Sequence, residues 1–338
     1  MNITVAKSIA KKCVMNGLPV LLTGAPGVGK TDIVAAIAAE LDYDLLVSHP
    51  VVEDPTDAKG LPFPSSDGES ARFLPYGLLA KALSAKKPTI WFLDDLGQAN
   101  AAVQASYMQL LLSRKIGEHH LPDCITFVAA TNRKADRAGV SGILEPVKSR
   151  FAAILPVETD LETWTDWALD NRVPSELIAF IRFRPDLLHA FKPSSEIVNS
   201  PSPRTWANAG RLLALELEKD EEHMAISGAV GPEAAVEFVS FLRVWRDLPS
   251  PDSVLLDPER AKIPDSVSAL HALCSALAFL ANAENFGRIT RYAMRLNAAQ
   301  KGEFASCLIK DCMRRNKDIT QTAAFVEMAS GELGELFN

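Results

Sequence analysis

The strongest constraint on the fold of this chain is a glycine-rich octapeptide at residues 24–31. It fits the pattern G-x-x-x-x-G-K-[ST] and lies between an apolar run at residues 18–23 and a stretch with helical spacing at 32–41. A phosphate-cradling loop requires this context of strand, loop and helix, because its backbone N–H groups turn toward a polyphosphate. We expect Lys30 to reach the β and γ phosphates and the Thr31 hydroxyl to ligate Mg²⁺. The predicted nucleotide-binding residues are Gly24, Ala25, Pro26, Gly27, Val28, Gly29, Lys30 and Thr31.

Short apolar runs alternate with helical stretches along the first half of the chain. They lie at residues 44–48, 89–93, 124–130 and 151–157. Such runs are typical of parallel strands that are buried on both faces. Strand signals fade from about residue 158 onward, where helical spacing prevails. The sequence therefore predicts an α/β region with a parallel sheet, followed by a helical region.

Two adjacent carboxylates, Asp94 and Asp95, follow the predicted strand at 89–93. Isolated buried charge is costly, so carboxylates at a buried strand end usually serve a metal or a partner. We expect Asp94 to hold Mg²⁺ through water and Asp95 to orient or deprotonate an attacking water in phosphoryl transfer. The alternative is a solvated pair that caps the next helix, because Asp is a favoured N-cap residue.

Composition narrows the class of protein and of partner. The net charge of −7 gives no general attraction to nucleic acid or anionic lipid. The five cysteines contain no C-x-x-C pair, so neither a disulfide framework nor a zinc ribbon is indicated. The N-terminal residues lack the apolar stretch of a signal peptide, and no window approaches the roughly 20 apolar residues of a membrane span. We therefore expect a cytoplasmic protein.

Further motifs follow the glycine loop in a fixed order. Residues 94–99 read Asp-Asp-Leu-Gly-Gln-Ala, and a strand-like run at 126–132 ends in asparagine. Lys-Ser-Arg-Phe follows at 148–151, and Pro-Ser-Pro-Arg at 201–204. With the glycine loop, these motifs resemble those of the AAA+ ATPases, and among them the MoxR family and its dynein-related relatives, up to about residue 225.

The resemblance implies a role for one residue in each motif. Asn132 matches the first sensor, which contacts the γ phosphate and the attacking water. Arg150 matches the arginine finger that one subunit supplies to its neighbour, with a surface salt bridge as the alternative. Arg204 matches the second sensor, in the first turn of a lid helix. Asp95 stands where the family usually has glutamate, which leaves the rate of hydrolysis open.

The fold that the resemblance implies is an α/β P-loop NTPase with a parallel-sheet AAA+ core, an α-helical lid and a helical C-terminal extension. We place the core at residues 1–157, the lid at 158–225 and the extension at 226–338. No known motif marks the extension, and its apolar positions have the spacing of packed helices.

Two insertions resemble those of the MoxR clade. Residues 52–62 lead into the first, where Asp67-Gly68 supplies a hairpin turn signal. Residues 114–121 form the second, ahead of the first-sensor strand. By resemblance, both hairpins face the central surface of a ring, and we expect them to contact substrate.

Four residues near these motifs have a simpler interpretation than catalysis. Arg133 and Arg137 follow the first sensor and could reach a subunit interface, but solvated arginines are the favoured interpretation. His119 and His120 suggest a metal, yet adjacent strand residues point to opposite faces and no ligand spacing accompanies them. We expect both histidines to be exposed hairpin residues.

The function that follows from the resemblance is ATP hydrolysis by a homo-oligomeric ring, a hexamer as in the family, that remodels or assembles a protein client. A protein with a von Willebrand factor A domain is an implied partner. A nucleotide-gated scaffold with weak hydrolysis is a second hypothesis. A nucleic-acid motor is a third, because the Arg114-Lys115 pair lies on a predicted inner hairpin, but the acidic total counts against it.

Overall fold

A computed structural model describes residues 1–66, 69–116, 119–136, 142–194, 196–246, 248 and 250–331. The chain divides into two compact units. The first comprises Met1–Asp160 with Phe191–Ser195, and the second comprises Leu161–Ala190 with Glu196–Asn338.

The first unit alternates helices with strands. Its elements are α1 (Ile3–Met15), β1 (Val20–Thr23), α2 (Lys30–Leu41), β2 (Asp44–Ser48), α3 (Pro55–Lys59), β3 (Leu61–Pro64), β4 (Ala71–Leu74), α4 (Gly77–Leu83), β5 (Thr89–Leu93), α5 (Ala101–Ser113), β6 (Lys115–Ile116), β7 (His119–His120), β8 (Ile125–Thr131), α6 (Glu145–Lys148) and β9 (Ala153–Pro156).

The central sheet has the strand order β2-β5-β8-β1-β9, and its neighbouring strands are parallel. Every residue of β5 and β8 is buried, as the continuous apolar runs predict. Alternate side chains of β5 enter different clusters: Phe92 packs with Val128 and helices α1 and α2, whereas Trp91 packs with Phe127 and helix α5. The predicted α/β fold with a parallel sheet is confirmed.

Two short antiparallel hairpins lie outside this sheet. In the first, β3 pairs with β4, and in the second, β6 pairs with β7. The predicted turn at Asp67-Gly68 lies outside the described residues, as do Gly117 and Glu118 of the second hairpin. All eight residues of β3 and β4 are exposed.

The second unit is helical in its described residues. Its helices are α7 (Leu161–Asp170), α8 (Ser175–Phe183), α9 (Pro203–Leu213), α10 (Lys219–Val230), α11 (Pro232–Arg246), α12 (Pro251–Leu256), α13 (Val267–Leu280), α14 (Phe286–Ala298), α15 (Gly302–Arg315) and α16 (Ala323–Ala329).

Two apolar clusters stabilise the second unit. Phe180, Trp206 and Phe238 form the aromatic centre of the first, which joins α7–α11. The second joins α12–α16. The expected boundary at residue 225 falls inside α10, and Ile226 belongs to the same cluster as Trp206. Among the described residues, no helix combines the length and apolarity needed to cross a membrane.

Candidate active site

The glycine loop connects β1 to α2 at the carboxyl edge of the sheet. A Cβ atom on Gly24 would lie 2.5 Å from the Val157 carbonyl oxygen, so the loop passes too close to the chain for a side chain. Gly29 has φ +97°, a left-handed conformation that favours glycine, and it is the N-cap of α2. The backbone N–H groups at the start of a helix favour an anion.

Lys30 is the first residue of α2, and its side chain is buried. Its ammonium donates hydrogen bonds to the carbonyl oxygens of Gly24 and Ala25, each at 2.9 Å, and to Asn132 Oδ1 at 2.7 Å. Asn132 follows β8 directly, so the sheet register brings it to the loop. The predicted phosphate-binding lysine and the predicted first-sensor asparagine are therefore in direct contact.

The predicted magnesium ligands are also in contact. Thr31 Oγ1 donates to Asp94 Oδ2 at 2.9 Å. The other oxygen of this carboxylate accepts a hydrogen bond from the Asp95 backbone N–H at 3.1 Å. A hydroxyl and a carboxylate are hard oxygen ligands, and Mg²⁺ is commonly held by one or two such groups together with water and phosphate oxygens. The residues present fit that ion.

Asp95 has φ +55°, in the left-handed region that Asp tolerates better than most residues. Its Oδ1 accepts a hydrogen bond from Asn132 Nδ2 at 3.3 Å. Asp95 is also the N-cap of a short 3₁₀ turn at Leu96–Gln98, but its side chain makes no capping hydrogen bond there. The carboxylate thus faces Asn132, and the helix-capping alternative does not describe its use.

Lys30, Asn132 and Asp95 therefore form a continuous hydrogen-bonded row across the strand ends. A carboxylate at one end of this row and an ammonium at the other give the site a fixed polarity. Such an arrangement can hold phosphate oxygens at the lysine end and a water at the carboxylate end.

Arg150 follows α6. Within the described residues of the first unit, it makes no hydrogen bond to this row. Its Nη1 donates to the Pro146 carbonyl oxygen, while its buried Nε has no hydrogen-bond partner among the residues that the structure describes. Across the described ranges, Arg150 forms no ion pair, so the alternative of a surface salt bridge within the chain is not observed.

Arg204 lies in the first turn of α9, in the second unit, and it is exposed. Ser202 caps this helix, and Thr205 Oγ1 accepts a hydrogen bond from the Ser202 N–H at 2.8 Å. Arg204 therefore has a well-defined backbone position within the second unit.

Arg133 is exposed, as expected of a solvated arginine, and it also forms an ion pair. Its guanidinium makes two hydrogen bonds to Asp136, of 3.0 and 2.9 Å, and Asp136 is buried. This contact raises the pKa of Arg133, chiefly through the hydrogen bonds to Asp136. The pair fixes the loop after Asn132. Arg137 lies outside the described residues.

His119 connects the two hairpins, and His120 points to solvent. His119 is half-buried, and its Nε2 lies 2.8 Å from the Phe73 carbonyl oxygen, whereas His120 is exposed. Only His120 thus matches the expectation of an exposed residue. Within the part of the chain that the structure describes, no group of three His, Cys, Asp or Glu residues could hold a metal.

Sequence reasoning missed the polar residues beneath the site. Ser48 ends β2, and its hydroxyl accepts a hydrogen bond from the Trp91 indole N–H at 2.8 Å. Tyr107 of α5 contacts both Ser48 and Glu53. A single polar residue at the end of an apolar run gives no periodic signal, so only the sheet register reveals these contacts.

Comparison with known proteins matches residues 20–159 to the ATPase family associated with various cellular activities (AAA). Midasin from Giardia intestinalis is 30% identical over 174 residues, which cover 48% of this chain and 4% of midasin. The chain therefore spans a small part of that relative's length.

Solved structures with similarity include two bacterial proteins. The RuvB Holliday junction branch migration motor of Thermotoga maritima is 16% identical, covers 81% of this chain and 80% of its own, and has a TM-score of 0.38. NtrX from Brucella abortus in complex with ADP is 12% identical, covers 99% and 68%, and has a TM-score of 0.44. The matched residues 20–159 include the glycine loop and the five strands of the central sheet, so the similarity to the AAA family lies in this α/β region.

Proposed function

We propose that this chain binds Mg²⁺-ATP at residues 24–31 and hydrolyses it as a MoxR-like AAA+ ATPase. The observation that carries the proposal is the convergence of Lys30, Asn132 and Asp95 in one hydrogen-bonded row beside the Thr31–Asp94 pair. These residues are up to 102 positions apart in sequence, and the parallel sheet brings them together. Such convergence is what phosphoryl transfer needs, because its catalysis is mainly positioning and charge stabilisation.

Each residue has a distinct task in this proposal. The loop N–H groups and Lys30 hold the β and γ phosphates, while Thr31 and Asp94 hold Mg²⁺, which neutralises phosphate charge when bound. Asn132 orients a water toward the γ phosphorus. The water oxygen forms the new bond to phosphorus as the bond to the β–γ bridging oxygen breaks, and Asp95 accepts the water proton.

A ring completes the site in this proposal. Arg150 forms no ion pair across the described residues, which suits a guanidinium supplied to the nucleotide of a neighbouring subunit. We propose a hexamer, the form that the resemblance implies. Arg204 would report nucleotide occupancy to the helical unit.

A protein client suits the exposed surface of the first hairpin. Leu61, Phe63 and Phe73 are 49%, 57% and 40% exposed. Exposed apolar patches mark protein or membrane contacts more often than phosphate contacts. With a net charge of −7, this favours a protein client over nucleic acid. We propose a protein with a von Willebrand factor A domain as the client or partner. We also propose that the protein acts in the cytoplasm.

A nucleotide-gated scaffold is the second candidate. Asp95 is one methylene shorter than glutamate, and its Oδ1 is already in contact with Asn132. If the short carboxylate cannot reach the water, ATP would organise the ring without rapid turnover.

ATP hydrolysis by wild type, Lys30→Ala and Lys12→Ala separates the two candidates. Lys12 is an exposed lysine of α1 and serves as the matched control. We expect Lys30→Ala to lose activity by about 100-fold or more and Lys12→Ala to retain it. Wild type that binds ATP but hydrolyses it no faster than Lys30→Ala would refute hydrolysis and support the scaffold.

A further inference from the structure

A chain of hydrogen bonds runs beneath the candidate site and is not part of its proposed chemistry. The Trp91 indole N–H donates to Ser48 Oγ at 2.8 Å, and Ser48 Oγ lies 3.3 Å from the Tyr107 hydroxyl oxygen. The Tyr107 hydroxyl donates to Glu53 Oε2, and Glu53 Oε1 accepts from the His49 N–H at 3.1 Å.

The Tyr107 hydroxyl is the donor in both of its contacts. It has a single hydrogen, which lies between Glu53 Oε2 in the closer contact and Ser48 Oγ at 3.3 Å. Ser48 Oγ therefore accepts from the Trp91 indole and faces the Tyr107 hydroxyl as a second donor. Tyr107 thus connects Ser48 to the Glu53 carboxylate.

The side chains in this hydrogen-bond chain are held in place by packing. Trp91, Ser48 and Tyr107 are each at most 1% exposed, and the Trp91 and Tyr107 rings meet edge to face with centroids 6.2 Å apart. Burial, and then the neighbouring Glu53 carboxylate, raises the pKa of the Tyr107 hydroxyl, which therefore stays a donor. Breaking one bond would leave a buried polar group without a partner, which is costly.

At one end of this hydrogen-bond chain, Ser48 adjoins Asp94, the predicted magnesium ligand. The Ser48 carbonyl oxygen accepts a hydrogen bond from the Asp94 N–H at 2.9 Å. Ser48 therefore bonds through its backbone to Asp94 and through its side chain to Tyr107 and Trp91. A shift of Asp94 must either carry Ser48 with it or break this contact.

At the other end of this hydrogen-bond chain, Glu53 adjoins the base of the β3–β4 hairpin. Glu53 directly precedes the capping box that starts α3, and Asp57 of that box accepts a hydrogen bond from the Tyr76 hydroxyl at 2.8 Å. Tyr76 follows β4. Gly60, before β3, lies so close to β4 that a Cβ atom there would be 2.6 Å from the Leu74 carbonyl oxygen. The hairpin base is thus tied to α3.

We propose that the chain from Ser48 through Tyr107 to Glu53 is a positioning link that couples nucleotide binding at Asp94 to the state of the exposed β3–β4 hairpin. It rests on the proposed function, since it requires that Mg²⁺-ATP binds beside Asp94. Glu53 and Tyr107 touch no reacting atom and act through Ser48 and α3.

Backbone hydrogen exchange of the hairpin strands tests this link. Exchange at residues 61–64 and 71–74 is measured with and without Mg²⁺ and a non-hydrolysable ATP analogue. The variant Tyr107→Phe keeps the buried ring and removes only the hydroxyl, and Glu53→Gln weakens the acceptor without changing its shape. Tyr43→Phe is the matched control, because the Tyr43 hydroxyl makes no hydrogen bond within the described part of the chain.

We expect the analogue to change hairpin exchange in wild type by about threefold or more and to do so equally in Tyr43→Phe. In Tyr107→Phe and Glu53→Gln, the analogue should still bind but should leave hairpin exchange unchanged. A Tyr107→Phe hairpin that responds like wild type would overturn the link. If wild type binds the analogue without any change in the hairpin, the link is wrong and the proposed function stands. If wild type binds no analogue, both fail.

Discussion

Asp95 combines a short carboxylate with a left-handed backbone, at φ +55°. Replacement by asparagine keeps both the size and the tolerance for this backbone conformation, but removes the charge that accepts a proton. We expect Asp95→Asn to bind ATP within about twofold of wild type and to lose hydrolysis by about 100-fold or more. Single-turnover hydrolysis and ATP titration measure the two properties. A variant that hydrolyses ATP at the wild-type rate would remove Asp95 from the mechanism.

Gly24 permits the close approach of the loop to Val157. Gly24→Ala would place a methyl group 2.5 Å from the Val157 carbonyl oxygen, so the backbone must shift. We expect a loss of about 1–3 kcal/mol in the free energy of unfolding, measured by denaturant titration, together with weaker ATP binding.

Gly228→Ala is the matched control for Gly24→Ala. Gly228 lies within α10, and a Cβ atom there meets no atom of the described residues within 4 Å. This substitution should stabilise the protein by about 0.5–1 kcal/mol, because alanine is the better helix former. Equal effects at the two positions would contradict the proposed role of the close approach.

At the residue scale, spacing and chemistry alone pointed to Lys30, Thr31 and both aspartates, and the structure brings these residues together. Sequence could not show that Asp95 contacts Asn132, since that depends on the register of β5 against β8. It also missed Tyr107 and Glu53, because a polar contact between a helix and a distant loop leaves no periodic pattern.

Helix α13 carries a partly buried histidine that makes the second unit sensitive to pH. His271 packs edge to face on Phe304 of α15, with ring centroids 4.9 Å apart, and lies near the Arg182–Asp311 pair. Burial, followed by the charge of Arg182, lowers the pKa of His271 from 6.5 to about 4.

Between pH 4 and pH 6.5 the unfolded chain therefore binds a proton at His271 that the folded chain does not bind. The unfolding free energy rises with pH across this window and falls on acidification. After allowance for partial exposure, we expect His271 to cost about 1–2 kcal/mol at the acid end. Urea unfolding of wild type and His271→Leu across this range measures it. Parallel pH profiles would show that His271 is not the cause.

Helices α8 and α15 share a buried ion pair. The Arg182 guanidinium donates two hydrogen bonds to the Asp311 carboxylate, and the two side chains are 13% and 7% exposed. Removing one partner leaves a buried charge without compensation, so Asp311→Ala should cost about 3–5 kcal/mol in unfolding free energy. The double variant Arg182→Met, Asp311→Leu should cost less. A larger loss in the double variant would argue that the pair itself stabilises the fold.

At the element scale, the apolar runs predicted the strands of the central sheet to within a few residues, because parallel strands buried on both faces are continuously apolar. The prediction that the chain is helical from about residue 158 onward is confirmed in the described residues. We expected a boundary between lid and extension at residue 225. Ile226 of α10, just beyond that position, packs in the α7–α11 cluster. Helical spacing reports which face is buried, but it does not report which helices share a core.

In the molecule as a whole, the family match lies in the α/β region at residues 20–159, and we propose the ring and its client from the motifs beyond the glycine loop. Sequence motifs could indicate a second subunit only through Arg150. The structure adds that this arginine has a buried Nε without a partner in the described residues. We therefore propose a site shared by two subunits, with Asp95 from one and Arg150 from the other.

ATP hydrolysis by mixed subunits tests this claim most directly. Asp95→Asn and Arg150→Ala are each expected to lose about 100-fold or more in activity alone, whereas exposed Arg211→Ala should retain it. In a mixture, an Arg150→Ala subunit keeps Asp95 and receives Arg150 from an Asp95→Asn neighbour. If subunits assort at random, roughly a quarter of the interfaces should then be active. Recovery of activity on mixing is the predicted result; a mixture no more active than its separate components, or a fully active Arg150→Ala protein, would contradict the shared site.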